Sequence, residues 1–284
     1  MTNNRLGCCI AIVVMGRSGT SAFAGALRLL GVHFGANLIA TDELNPKGYF
    51  ENSAVLAINR ALLREIGSYH GDFQSLHLIN WQTPSLSGLR ETILDLLNRE
   101  FSNTSLFAIK DPRLGRVWPV WAAAIEQAGG SFCSAILLRH PIEVVQSLHK
   151  LGVSINHGLL WWIAYMLDAE RNSHPTRRYV LPYDELLIDP EKSFLKVAES
   201  LRIVWPASVD CVAPALAAFL DSSLRHFSET MSTTRRHADS ALLAFAERIH
   251  SAMFRGADRL EMDSLRAEYE VMAGAYAGWR FPVL

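Results

Sequence analysis

Residues 8–31, CCIAIVVMGRSGTSAFAGALRLLG, join an unbroken apolar run to a turn rich in glycine and hydroxyls, and that turn to a helical pattern. The run over 8–15 has no polar interruption, as expected of a strand buried on both faces. Phe23, Ala26, Leu27 and Leu30 recur at i, i+3, i+4 and i+7, which predicts a helix over 20–30, and Gly31 suits its stop. A buried strand feeding straight into a helix is the unit of a parallel sheet.

The unit recurs. SLFAI (105–109), CSAILL (133–138) and RRYVLPY (177–183) read as three more strands. Helical patterns follow them at 116–128, from Pro141 onward, at 157–172, 190–202 and 208–221, and two amphipathic helices fall at 52–68 and 86–101. The expected fold is α/β: a single-domain, three-layer parallel sheet of P-loop NTPase-like topology spanning residues 1–284, with no repeats and no linker. Residues 36–51 have no period and read as a functional loop. The polar stretch 227–240 reads as a mobile loop or lid, and 241–276 as one or two helices.

Bulk properties narrow the partners. With 27 basic against 28 acidic residues, the net charge of −1 gives no long-range field toward nucleic acid or an anionic membrane. Any anion site is therefore local. The N-terminal apolar run is too short for a signal peptide and leads into a loop. No segment approaches the ~18 uninterrupted apolar residues of a membrane span. Four cysteines, Cys8, Cys9, Cys133 and Cys211, form no C-x-x-C and read as free thiols, which fits a reducing, cytoplasmic location. The ten histidines show neither H-E-x-x-H nor a Cys/His cluster, so no metal site is expected.

GRSGTS, residues 16–21, has the chemistry of an anion loop. Gly16 and Gly19 permit close approach and unusual backbone angles, Ser18, Thr20 and Ser21 offer hydroxyls, and the helix N-terminus adds positive potential. The alternative is an ordinary strand-to-helix turn with a serine cap. The Walker pattern fails: Thr20 stands at the lysine position and Val14 at the first glycine position. Arg17 supplies a permanent, forked cation instead, unless it is a plain surface arginine.

The loop resembles the 5′-phosphosulfate loop of sulfotransferases that use 3′-phosphoadenosine 5′-phosphosulfate, in which a Lys or Arg precedes S-G-T. LLRHPIEVVQSLHK (137–150) resembles that family's 3′-phosphate motif, with Arg139 ending a strand and Ser147 eight positions on. Physical reading agrees: Arg139 falls at a strand's carboxyl end, and Ser147 lies beside Leu148 on the inward stripe of the next helix. Ser147 taken singly also reads as a small core-edge residue. YDELLIDP (183–190) resembles the segment whose tyrosine, here Tyr183, lies near the adenine; a capping or core tyrosine is the other reading. SSLRHF (222–227) resembles a segment that closes over the nucleotide, with Arg225 as a phosphate ligand or a solvated arginine. The resemblance covers about residues 10–227.

It implies a sulfuryl transfer, with 3′-phosphoadenosine 5′-phosphosulfate as cofactor and no metal, to a hydroxyl or amine of a small-molecule, carbohydrate or lipid acceptor. Arg17 and Lys110, in AIKDPR, would stabilise the transferring charge; surface pairing of Lys110 with Asp111, or of Asp111 with Arg113, is the competing reading. The order of candidate bases is Glu51, Glu43, Asp111, with His33 and His140 as alternatives. A metal-dependent P-loop kinase using Asp111 and a non-catalytic nucleotide-binding protein stand as rivals. Trp81, Trp118, Trp121, Trp161 and Trp162 are either core or acceptor-facing area.

Overall fold

Strands β1 (Cys8–Ile12), β2 (Leu106–Lys110), β3 (Ser131–Leu138) and β4 (Arg178–Pro182) run parallel in the order β2-β1-β3-β4. They belong to a computed structural model that describes residues 6–43, 45–76, 78–174, 177–220 and 231–276. The fold is α/β as expected, and β1 and β3 are neighbours. The first strand is shorter than its apolar run: Val13, Val14 and Met15 leave the ladder yet stay at most 1% exposed. Hydrophobicity there marks burial, not pairing; only Val13 N–H still donates to a strand carbonyl, that of Ala135, at 3.1 Å. His33 bridges to Phe107 and covers the outer edge of β2.

The helices are α1 (Thr20–Leu29), α2 (Ser53–Glu65), α3 (Ser87–Glu100), α4 (Leu114–Gln127), α5 (Pro141–His149), α6 (Ile155–Asn172), α7 (Tyr183–Ile188), α8 (Pro190–Leu201), α9 (Val209–Phe219), α10 (Met231–His237), α11 (Ser240–Phe254) and α12 (Arg259–Ala275). They flank the sheet in two groups. In one, α1 lies against α9 and stacks Phe23 on Phe194 of α8, with ring centroids 5.5 Å apart. In the other, α4, α5 and α11 pack around α6. The buried apolar side chains form one continuous cluster.

Two expectations are corrected. Tyr183 does not end the fourth strand but opens α7, because Pro182 terminates the ladder in extended geometry. The stretch 227–240 is not wholly a loop: residues 231–237 form α10, while 227–230 lie outside the described residues. Residues 241–276 form two helices, separated at Gly256 (φ 70°) and restarted by Asp258, whose side chain accepts from Glu261 N–H.

The cysteines are free: Cys9 and Cys133 are buried, Cys8 is half-buried and Cys211 is exposed. Among the described residues no helix is long and apolar enough to cross a membrane.

Candidate functional site

Register places the chemistry. Ile12 pairs with Lys110, and Leu138 pairs with Pro182. The residues just beyond these pairs, the 13–19 loop, Arg139 and Tyr183, therefore gather with Lys110 at the carboxyl edge of the sheet, where open α/β folds bind ligands.

The anion loop is held in an uncommon conformation. Gly19 caps α1 with φ 87° and has no side chain to accept, so no cap side chain takes the first-turn N–H groups of α1 among the described residues. A Cβ on Gly19 would fall 2.1 Å from the Tyr183 ring, so only glycine lets loop and ring meet. Arg17 is also left-handed, at φ 70°, a conformation that costs a non-glycine residue about 1–2 kcal/mol. Arg139 offsets part of that cost by donating Nη1 to the Arg17 carbonyl at 3.1 Å. Ser18 is fully buried, and its Oγ has no hydrogen-bond partner among the described residues.

Arg139 is oriented from two further directions. Its Nε donates to Glu143 one helical turn on, at 2.8 Å, and its guanidinium lies 4.7 Å from the Tyr183 ring centre. Ser147, buried on α5, accepts from Arg17 Nε at 2.8 Å. Burial, and then the charge of Arg139, pull the Arg17 guanidinium below its usual value.

Lys110 and Glu51 form a buried pair, Nζ to Oε1 at 2.5 Å. Lys110 also donates to the Tyr49 carbonyl (2.9 Å) and to Ser21 Oγ (3.4 Å), which ties the 36–51 loop to the anion loop. Asn45 adds a second tie, donating Nδ2 to Ser21 Oγ at 3.0 Å. Burial raises the Glu51 carboxyl above the ordinary glutamate range, and the Lys110 charge pulls it partly back. Partial burial and the Asp42 carboxylate push the Tyr49 hydroxyl up to about 12.

These groups border a cleft of about 180 Å³ lined by Gly16, Arg17, Thr20, Ser21, Tyr49, Glu51 and Lys110. The same cleft reaches Met15, His70, Pro112, Leu148, Leu151 and Trp161. His70 is a site residue that sequence reasoning missed, since one histidine in a polar stretch carries no signal of its three-dimensional neighbours. Glu43 is exposed on the loop outside the cleft lining. Asp111 is buried away from that lining, and its oxygens accept from the Arg113 backbone (2.8 Å) and guanidinium (2.5 Å). His140 caps α5 through Ile142 N–H, and His33 Nε2 is 3.0 Å from the Glu100 carbonyl oxygen; neither lines the cleft. Of the five tryptophans singled out from the sequence only Trp161 borders it, while Trp118, Trp121 and Trp162 are core. Arg225 lies outside the described residues.

No family model and no curated protein matches the chain. Solved structures similar to it include two sulfotransferase domains. One is the sulfotransferase domain from the Synechococcus PCC 7002 olefin synthase, 18% identical, covering 99% of this chain and 98% of that one, with a TM-score of 0.44. The other is the sulfotransferase domain from the curacin biosynthetic pathway, 13% identical, covering 89% and 99%, with a TM-score of 0.40.

Proposed function

We propose that this chain is a sulfotransferase that moves a sulfuryl group from 3′-phosphoadenosine 5′-phosphosulfate to an acceptor hydroxyl or amine. One observation carries the reading: Arg17, Ser147 and Arg139 are joined at the carboxyl edge of the sheet, beside an uncapped helix N-terminus. That arrangement suits a ligand with two separate anionic groups. The fit extends to detail. The orphaned Ser18 hydroxyl offers a donor, and Gly19 lets the Tyr183 ring pack directly on the loop.

The donor supplies the sulfuryl group and a good leaving group. Gly16–Ser21 bind its 5′ end, Arg139 and Ser147 its 3′-phosphate, and Tyr183 sits beside them on Arg139. Arg17 and Lys110 stabilise charge on the transferring group. Glu51, whose carboxyl is raised toward working pH, takes the acceptor proton. Catalysis here is positioning and charge stabilisation, as in phosphoryl transfer.

Thermal shift tests the reading. Adenosine 3′,5′-bisphosphate at 100 times its Kd should stabilise the protein by about 2.7 kcal/mol without magnesium. Stabilisation by Mg-ATP alone would sink the proposal in favour of a kinase. Bisphosphate binding without transfer to any acceptor would favour a non-catalytic binding protein.

A further inference from the structure

The cleft beside Arg17 is chemically lopsided. Its charged lining residues are Arg17, Glu51 and Lys110. All three are engaged: Glu51 and Lys110 with each other, Arg17 with Ser147. The only carboxylate lining the cleft among the described residues is therefore already neutralised, which leaves nothing to select a cationic acceptor. Met15, Pro112, Leu148, Leu151 and Trp161 supply apolar wall.

His70 stands within that wall, and its environment keeps it uncharged; the other uncharged polar lining residues, Thr20, Ser21, Asn45 and Tyr49, belong to the start of α1 and to the 36–51 loop. The ring stands edge-on to Trp161, centroids 4.8 Å apart at 79°, and its Nδ1 is 3.3 Å from the Tyr165 hydroxyl. Burial, and then the charges of Arg113, Arg60 and Arg116, drive its pKa down to about 3. A neutral imidazole with Nδ1 occupied has one further ring nitrogen, and Nε2 bonds to no described residue. Trp161 is not a stacking platform for a sugar. It is 4% exposed, and His157 lies nearly parallel to it at 5.9 Å. The cleft volume of about 180 Å³ is close to that of an engineered cavity of about 150 Å³ that binds benzene.

We infer that the side of this cleft formed by His70, Leu148, Leu151 and Trp161, as distinct from the Gly16–Ser21 loop that takes the donor's 5′ end, is the acceptor subsite, shaped for a compact, uncharged molecule with an apolar body and a hydroxyl, such as a single-ring aromatic alcohol. The inference rests on the sulfuryl-transfer reading. The acceptor oxygen forms the new bond to sulfur. The bridging S–O bond to the 5′-phosphate breaks, and its electron pair leaves with the bisphosphate. The acceptor proton goes to the Glu51 carboxylate. Apolar wall excludes water from the reacting group, and His70 orients the acceptor without competing for the proton.

The test compares 4-methylphenol, methyl β-glucoside and benzylamine as acceptors, with bisphosphate binding measured in parallel. Leu151, half-buried at the cleft, is the site of a blocking variant, Leu151→Trp. The phenol should exceed the other two in kcat/KM by at least about tenfold. Leu151→Trp should lose at least about tenfold toward the phenol while binding the bisphosphate like the wild type, which also shows that it folds. Bisphosphate binding with the glucoside or amine preferred, or an unaffected Leu151→Trp, would overturn the acceptor inference and leave the donor reading standing. Loss of bisphosphate binding by the wild type would overturn both.

Discussion

Arg17 Nε donates to Ser147 Oγ across 2.8 Å, joining residues 130 positions apart. The two were expected at opposite ends of one ligand, Arg17 at the 5′ group and Ser147 at the 3′-phosphate. Under the proposed function, Arg17 can keep Nε on Ser147 while the four N–H donors of Nη1 and Nη2 meet ligand oxygens. Arg139 holds the Arg17 backbone independently of this, because its bond is to the carbonyl and not to the guanidinium.

Arg17→Ala should therefore abolish transfer while sparing much of the bisphosphate binding. Arg139→Ala removes a charged donor and also releases the loop, Glu143 and Tyr183. A hydrogen bond to a charged group is worth about 1.5–3 kcal/mol, so binding should weaken by about 10- to 150-fold. Titration calorimetry with the bisphosphate measures both. If both variants bound like the wild type, the two-ended assignment would be wrong.

Glu51 should give the reaction an acid limb displaced above the ordinary glutamate range, since burial raises its carboxyl and the rate needs the ionised form. Transfer should rise with pH through that raised value. Glu51→Gln should remove the limb and lower kcat by about 10²-fold or more. The stability sign is opposite. The unfolded carboxyl ionises first, so this group favours the fold below its unfolded pKa and loses that contribution as pH rises through the folded value. A pH–rate profile unchanged by Glu51→Gln would remove it as the base.

Gly19 and Tyr183 supply a test of the loop geometry that needs no substrate. Gly19→Ala combines a left-handed penalty of about 1–2 kcal/mol with a Cβ 2.1 Å from the ring. Tyr183→Ala alone removes a ring that is 5% exposed and should cost about 3–5 kcal/mol, the Arg139 contact of about 0.5–2 kcal/mol included. The double variant should be less destabilised than the two singles added together, because removing the ring makes room for the methyl. Urea denaturation of all four proteins measures the coupling. Strict additivity would mean that ring and loop do not meet.

Sequence carried the frame of this site better than its contacts. The alternation of apolar runs and helical periods located all four strands, since burial on both faces leaves an unbroken apolar signature. It misplaced ends where burial outlasts pairing, as at Val13–Met15. Arg17, Lys110 and Arg139 were legible because cations at strand ends stand out against apolar runs. The Lys110–Glu51 pair was not, because it closes over 59 positions through a loop without a period. His70 carries no local pattern at all, while Leu151 falls with Val144 and Leu148 on one inward stripe of the helical pattern after Pro141; only the fold brings His70 and Leu151 to one cleft with Trp161.

Arg116 is fully buried on α4 and holds three segments together without itself lining the cleft. It donates to Asp168 Oδ2 at 2.8 Å, to the Asp72 carbonyl at 2.6 Å and to the Gln74 carbonyl, and lies 5.0 Å from the Tyr165 ring centre. Arg116→Met strands the Asp168 carboxylate, which burial already raises above its usual range. The loss should be about 3–5 kcal/mol. It should grow from acid toward neutral pH, because without Arg116 the folded protein holds Asp168 protonated and the unfolded chain does not. Adding Asp168→Leu should recover part of the loss by removing the stranded charge, while the two carbonyls remain unsatisfied. Thermal melts across pH measure this; a loss independent of pH, or no recovery in the double variant, would show that the carbonyl bonds and not the ion pair carry the stability of this junction.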